Sequence, residues 1–118
     1  MTYPDVRPRR LRATPVLREL VRETTLAASD FIFPLFVLPG TGQRKPISSM
    51  PGNFQLSVDE VEREVTMLWA IGIRAVILFG LPEEKDEVGS SAHDPNGPVQ
   101  RAIPAIKRAV PGMFVVTD

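Results

Sequence analysis

Three short apolar runs, about forty residues apart and separated by segments of helical period, constrain the fold of this chain more than any other feature. The first run, Phe31-Ile32-Phe33-Pro34-Leu35-Phe36-Val37-Leu38, is apolar throughout instead of alternating, as a strand covered on both faces must be. Residues 73–79 and 113–117 repeat the pattern with β-branched side chains. Between the first two, Ser57-Val58-Asp59-Glu60 has the spacing of a capping box. Val61, Val65, Leu68, Trp69 and Ile71 follow as an apolar stripe that Gly72 ends, with Met67 and Trp69 expected as packing residues. Between the second and third, Pro98 opens a segment with Val99, Ala102, Ile103, Ile106 and Val110 on one face, and Pro111-Gly112 closes it. Strand, helix, strand, helix, strand with crossovers of a dozen residues is a parallel α/β layout wound right-handed.

Two prolines strain this pattern. Pro34 donates no ladder hydrogen bond, which predicts an irregular first half of its strand. Pro104 removes the bond to the carbonyl of Gln100, which predicts a helix that is kinked or starts later. Residues 39–53, with Pro39, Gly40, Gly42, Pro46, Pro51 and Gly52, read as one long loop after a strand's C-terminal end. Residues 1–13 hold two prolines and four arginines without an apolar period and predict an extended arm. Thr14-Pro15 then starts a short helix with Val16, Leu17, Leu20 and Val21 on its apolar side. This layout suits either an open doubly wound sheet or the start of a (β/α)8 barrel. A dinucleotide fold wants a Gly-rich turn leading directly into a helix, whereas Gly40-Thr41-Gly42 leads into a proline-bearing loop, which disfavours it.

Charge and composition exclude several functions. Lys plus Arg equals Asp plus Glu at 14 each, so no bulk charge attracts nucleic acid or an anionic membrane. Without cysteine there is no disulfide, thiolate metal site or cysteine nucleophile in these residues. No leader-like apolar segment and no stretch of 18 apolar residues occurs, and the expectation is a cytoplasmic protein. Locally the charge is uneven. Arg7, Arg9, Arg10, Arg12, Arg18 and Arg22 crowd the start, and Glu83, Glu84, Asp86 and Glu87 lie past the middle. A basic arm and a distant acidic surface fit an oligomer better than a free tail.

Arg7-Pro8-Arg9-Arg10-Leu11-Arg12, Phe33-Pro34-Leu35-Phe36-Val37, Gly40-Thr41-Gly42, Pro46-Ile47 and Ser49-Met50-Pro51-Gly52 resemble, in order and spacing, the N-terminal region of the porphobilinogen synthase (5-aminolevulinate dehydratase) family. Phe79-Gly80-Leu81-Pro82, Lys85-Asp86, Gly89-Ser90, Val99-Gln100-Arg101-Ala102-Ile103 and Val115-Val116-Thr117-Asp118 continue the resemblance to the end. Pro39, where an acidic residue is common, and Pro104, in a normally regular helix, depart from it. The resemblance implies an arm and short helix over residues 1–28, and the first three strands and intervening helices of a (β/α)8 TIM barrel over residues 29–118. It implies a homo-oligomer, typically an octamer, joined through the arm. It also implies a lyase that condenses two 5-aminolevulinate molecules to porphobilinogen through lysine Schiff bases, with a divalent metal, zinc or magnesium, whose ligands lie outside these residues.

Asp118 is the candidate catalytic residue. It ends a strand where barrel enzymes gather their chemistry, and it matches the family's active-site aspartate. Lys45, Lys85 and Lys107 match no Schiff-base position, His93 reads as a surface residue, and the acidic run lacks a calcium-loop spacing. Phe79-Gly80-Leu81-Pro82 stands at a strand's C-terminal edge, as pocket wall or barrel core. Another Schiff-base barrel aldolase would share the layout without the Arg-rich arm, and a non-catalytic module could use the arm and strands to join other subunits.

Overall fold

The computed structural model describes Thr2, Asp5, Val6 and residues 9–118; Arg7 of the basic arm lies outside the described residues. Its body is a sheet of five strands: β1 (Ile32–Val37), β2 (Arg44–Pro46), β3 (Phe54–Leu56), β4 (Ala75–Gly80) and β5 (Phe114–Thr117), in spatial order β2-β3-β1-β4-β5. The long apolar runs supply the parallel centre. β1 pairs with β4 from Ile32↔Ala75 to Val37↔Gly80, and β4 with β5 from Ala75↔Phe114 to Leu78↔Thr117. The two short strands were not anticipated and correct the single-loop reading of residues 39–53. β2 lies within that segment, antiparallel to β3, and β3 lies parallel to the last two residues of β1.

Helices α2 (Val58–Ala70) and α3 (Pro98–Ala109) carry the crossovers and pack on one face of the sheet. Leu35, Val37, Val76 and Leu78 meet Val61, Val65, Leu68, Ala102 and Ile106 there, all buried. Strand alternation turns Ile32, Pro34, Phe36, Ala75, Ile77, Phe79, Phe114 and Val116 to the opposite face, which no helix covers among the described residues; Ile32 is 55% and Phe114 65% exposed, and the others are half-buried. The apolar runs thus carry two apolar faces, of which the chain buries one.

Pro34 does not disturb β1, contrary to expectation. Successive residues in a strand send their polar groups to opposite sides. The Val37 carbonyl accepts from the Leu81 amide on the β4 side, and the Leu38 amide donates to the Leu56 carbonyl on the β3 side. By this alternation Pro34 faces the β3 side, at a height β3 does not reach, so its missing N–H breaks no ladder bond. Pro104 also sits inside a helix that begins at Pro98, not later. Its ring is exposed, while Ala102, Ala105 and Ile106 hold the helix to the core.

Ser57 is the N-cap of α2, but no capping box forms, because its side chain makes no cap bond. The Ser57 hydroxyl instead donates to Asp59 Oδ1 at 2.6 Å and accepts from the Gln43 amide at 2.9 Å. Val61, Val65 and Leu68 are buried as expected, whereas Met67 and Ile71 are exposed at 53% and 70%. At the other end, the Gly72 amide donates to Trp69 and the Ile73 amide to Leu68, a Schellman closure with Gly72 at φ +99°. An added Cβ at Gly72 would stand 3.1 Å from that of Ala28. Gly72→Ala is therefore expected to cost about 1–2 kcal/mol, read as a lower urea midpoint at unchanged slope.

The arm is less extended than expected. Arg10–Arg12 form a 3-10 turn, and α1 (Pro15–Leu20) follows with Thr14 as N-cap, its hydroxyl accepting from the Leu17 amide at 3.2 Å. No residue of α1 is buried, and Val16 and Leu20 are 64% and 75% exposed. A radius of gyration of 20.6 Å, against about 13–14 Å for a compact chain of this length, reflects this projecting segment.

Candidate functional site

The C-terminal ends of β1, β4 and β5 lie together, because the three strands are parallel neighbours. Asp118 directly follows β5 and is exposed. Alternation from Val116 puts it on the uncovered face, in the row of Phe36 and Phe79, whose rings stack with centroids 5.4 Å apart. Phe79 is thus a wall of the open face. Gly80 ends β4, and a Cβ there would stand 2.9 Å from Val99 Cγ2, so its lack of a side chain lets the start of α3 approach the strand end.

Behind these strand ends lies a cleft of about 450 Å³, bounded by Gly80, Pro82, Lys85, Asp86, Ser91, Gln100, Thr117 and Asp118. It brings Asp118, Lys85 and Asp86 to one rim. Val99, Ile103 and Thr117 place most of this cleft on the helix side of the sheet. A neighbouring hollow of about 600 Å³ is lined by Pro39 and by Glu83, Glu84 and Asp86 of the acidic run.

The acidic run is solvated, with one member in structural use. Asp86 accepts from the Ser90 amide at 2.8 Å and supports the 3-10 turn Ser90–His93. Hydrogen bonding by Ser90, from its side chain first and then its amide, holds the Asp86 carboxyl below the usual carboxylate range. His93 ends that turn, exposed. Among the described residues no three His, Cys, Asp or Glu side chains converge as metal ligands. Lys45 is exposed on β2 and Lys85 in the loop, while Lys107 on α3 donates to the Met113 carbonyl at 2.5 Å. All three are exposed residues, whereas an amine that attacks a ketone as a Schiff-base nucleophile works from a buried, apolar setting.

Two connections escaped sequence reasoning. Gln100 Nε2 donates to the Ala92 carbonyl at 2.8 Å, tying the loop to α3. Asp59 receives the Gly42 amide at 3.0 Å and the Ser57 hydroxyl, latching residues 39–53 to the start of α2. The only sequence signal for that latch was Ser57-Val58-Asp59-Glu60, which points to Glu60 instead. The Ser57 bond first, and the Gly42 amide with it, lower the Asp59 pKa. A carboxyl lowered on folding stabilises above its unfolded pKa, and that contribution disappears as pH falls through the folded value. Asp59→Asn is expected to reduce the loss of urea midpoint between pH 6 and about pH 3, compared with the unaltered chain. Equal losses would show that the latch contributes nothing to acid sensitivity.

Comparison with known proteins follows the same span. The family model for delta-aminolevulinic acid dehydratase matches residues 5–118. A delta-aminolevulinic acid dehydratase of Synechococcus elongatus is 47% identical over 116 residues, covering 98% of this chain and 36% of its own length. One from Synechocystis is 49% identical with the same coverage. The crystal structure of delta-aminolevulinic acid dehydratase (porphobilinogen synthase) from Toxoplasma gondii, in complex with the reaction product porphobilinogen, superposes with a TM-score of 0.79 at 37% identity, over 96% of this chain and 32% of that one. The chain spans about a third of the length of these relatives.

Proposed function

The chain belongs to the delta-aminolevulinic acid dehydratase family, and from that premise we propose that it forms the opening strands of a (β/α)8-barrel lyase that condenses two 5-aminolevulinate molecules to porphobilinogen in tetrapyrrole synthesis. The observation that carries the barrel reading is the one-sided sheet. β1, β4 and β5 are neighbours in chain order, α2 and α3 lie on one face, and the other face is apolar with no helix over it among the described residues. Parallel sheets are stable with both faces covered, and in a barrel the second face becomes the packed interior.

On this reading Asp118 stands at the barrel mouth and orients the substrate's amino group, or moves a proton during the condensation. Residues 1–28 form the arm, and residues 29–118 open the barrel domain. Among the described residues the arm's arginines enter no ion pair; the pairs are Arg44–Glu64, Arg63–Glu60 and Arg108–Glu62, all within the body. That leaves the arm's charge available to a neighbouring subunit of a homo-oligomer, an octamer in the family pattern, in the cytoplasm. The residues present do not fit the divalent metal the family implies, since no ligand cluster occurs among those described.

A chain in which these 118 residues replace the matching part of the Synechocystis relative is expected to produce porphobilinogen from 5-aminolevulinate. A folded chimera without product would overturn the proposal. The 118 residues alone are expected to give no product above a protein-free blank, because three barrel strands enclose no site and no buried lysine is present. Borohydride added with substrate should trap no adduct at Lys45, Lys85 or Lys107, checked by mass spectrometry.

A further inference from the structure

We propose that Asn96 is a site of spontaneous covalent modification, at which the Gly97 backbone nitrogen closes on the Asn96 side-chain amide, and that the turn Asp94–Gly97 sets the rate. The site needs no turnover of substrate and is independent of the enzymatic reading.

The chain has two asparagines, Asn53 before Phe54 and Asn96 before Gly97, and no aspartate precedes a glycine. A side chain on the following residue shields its backbone nitrogen, and glycine, without a Cβ, leaves it open. Asn96 is also exposed, whereas Asn53 is half-buried with its amide bonded to the Met50 carbonyl and its carbonyl to the Ile47 amide. In the reaction the Gly97 nitrogen forms a bond to Asn96 Cγ, the bond from Cγ to Nδ2 breaks, and the Gly97 amide proton leaves with Nδ2 as ammonia. Water then opens one of the two C–N bonds of the succinimide, giving aspartate or isoaspartate. Water is the only co-reactant, and nothing is oxidised or reduced.

The fold holds this reaction back. Asp94, Pro95 and Gly97 occupy the first, second and fourth positions that a type I turn favours. The Gly97 amide donates to the Asp94 carbonyl at 2.9 Å, and the Asn96 amide to Asp94 Oδ1 at 2.8 Å. Asn96 is not at positive φ, which excludes a type II turn and gives it a ψ of about 0°. Ring closure requires the Gly97 nitrogen to swing beneath Cβ, roughly a third of a rotation away, so both hydrogen bonds open first.

Isoaspartate draws Cβ into the main chain, and the turn has no slack to take it. Gly97 is buried, its carbonyl accepts from the Arg101 amide at 3.0 Å as α3 begins, and a Cβ on it would collide with Gln100 Oε1. Displacing Gly97 therefore pulls Gln100 from the Ala92 carbonyl and loosens the loop from α3. The new carboxylate also joins Glu83, Glu84, Asp86 and Asp94 around the larger hollow.

The test incubates the 118-residue chain in mildly alkaline buffer, folded or in concentrated urea. Isoaspartate is then counted with isoaspartyl methyltransferase and located by peptide mass spectrometry. It should accumulate at residue 96 and not at 53, roughly tenfold more slowly in the folded chain, and Asn96→Gln should abolish it. Asp94→Ala, which removes one of the two restraining bonds, should raise the folded rate roughly fivefold and leave the rate in urea unchanged, whereas Asp94→Asn, which keeps the acceptor oxygen, should retain the slow folded rate. Absence of isoaspartate at residue 96 from the folded chain after the urea sample has fully reacted would overturn the modification site. Equal rates in the two conditions, or a folded rate indifferent to Asp94→Ala, would overturn control by the turn.

Discussion

Asp118→Asn, in a chain that continues through the rest of the barrel, is expected to lower turnover by roughly 10²–10⁴-fold, the range in which positioned acid–base groups contribute. The folded state should barely change. Asp118 is exposed and outside the core, at the end of a strand whose hold on β4 runs from Phe114 to Thr117. The amide keeps the shape of the side chain and removes its charge and its ability to carry a proton. Turnover and melting temperature measured on one preparation separate the possibilities. A lowered melting temperature with near-normal turnover would make Asp118 a loop cap and remove it from the site.

The largest effect on stability is expected at Leu78. Leu78 is fully buried in the middle of β4, paired in register with Leu35 and Thr117 and facing the two helices. Truncating such a side chain costs about 2–5 kcal/mol. Domains typically hold about 5–15 kcal/mol in total, and a sheet covered on one face belongs at the low end. Leu78→Ala should leave much of the 118-residue chain unfolded without denaturant, as judged by near-UV circular dichroism and urea titration. The adjacent Ile77→Ala, on the opposite face and only half-buried, should cost less, about 1–2 kcal/mol, since its side chain has fewer contacts to lose. Equal costs at the two positions would mean that the second face is covered after all.

The parallel centre of the fold was legible because each of its strands is a continuous apolar run long enough to be distinct. β2 and β3 were not. Arg44, Lys45 and Pro46 have no strand period, and their extended state comes from pairing with Phe54, Gln55 and Leu56, a non-local term that a local pattern omits. Pro34 misled for a related reason: whether a missing donor matters depends on which side of the strand it faces and on whether a neighbour reaches that height. Ser57 was identified as the N-cap with the wrong partner, because the loop supplies the Gln43 and Gly42 amides that a capping-box reading cannot foresee. Asp118 was legible as a strand-end carboxylate. The cleft behind it, with Lys85, Ser91 and Gln100 on its rim, depends on how residues 81–97 fold back on α3.

The bare sheet face also has a duration. On a ribosome, a protein of the Synechococcus relative's length that carries this part at its start still has about 200 residues to add once the part has been made, since 116 residues are 36% of that relative. At about 5–20 residues per second that is roughly 10–40 s. Forming a helix-backed sheet takes far less time, because its strands are neighbours in sequence. A nascent chain with these residues near its start would spend that interval with one finished side, Ile32 and Phe114 exposed and Phe36, Ile77 and Phe79 only half-buried. The chaperones that bind apolar nascent segments have that interval in which to act, and slower translation of the later strands would lengthen it.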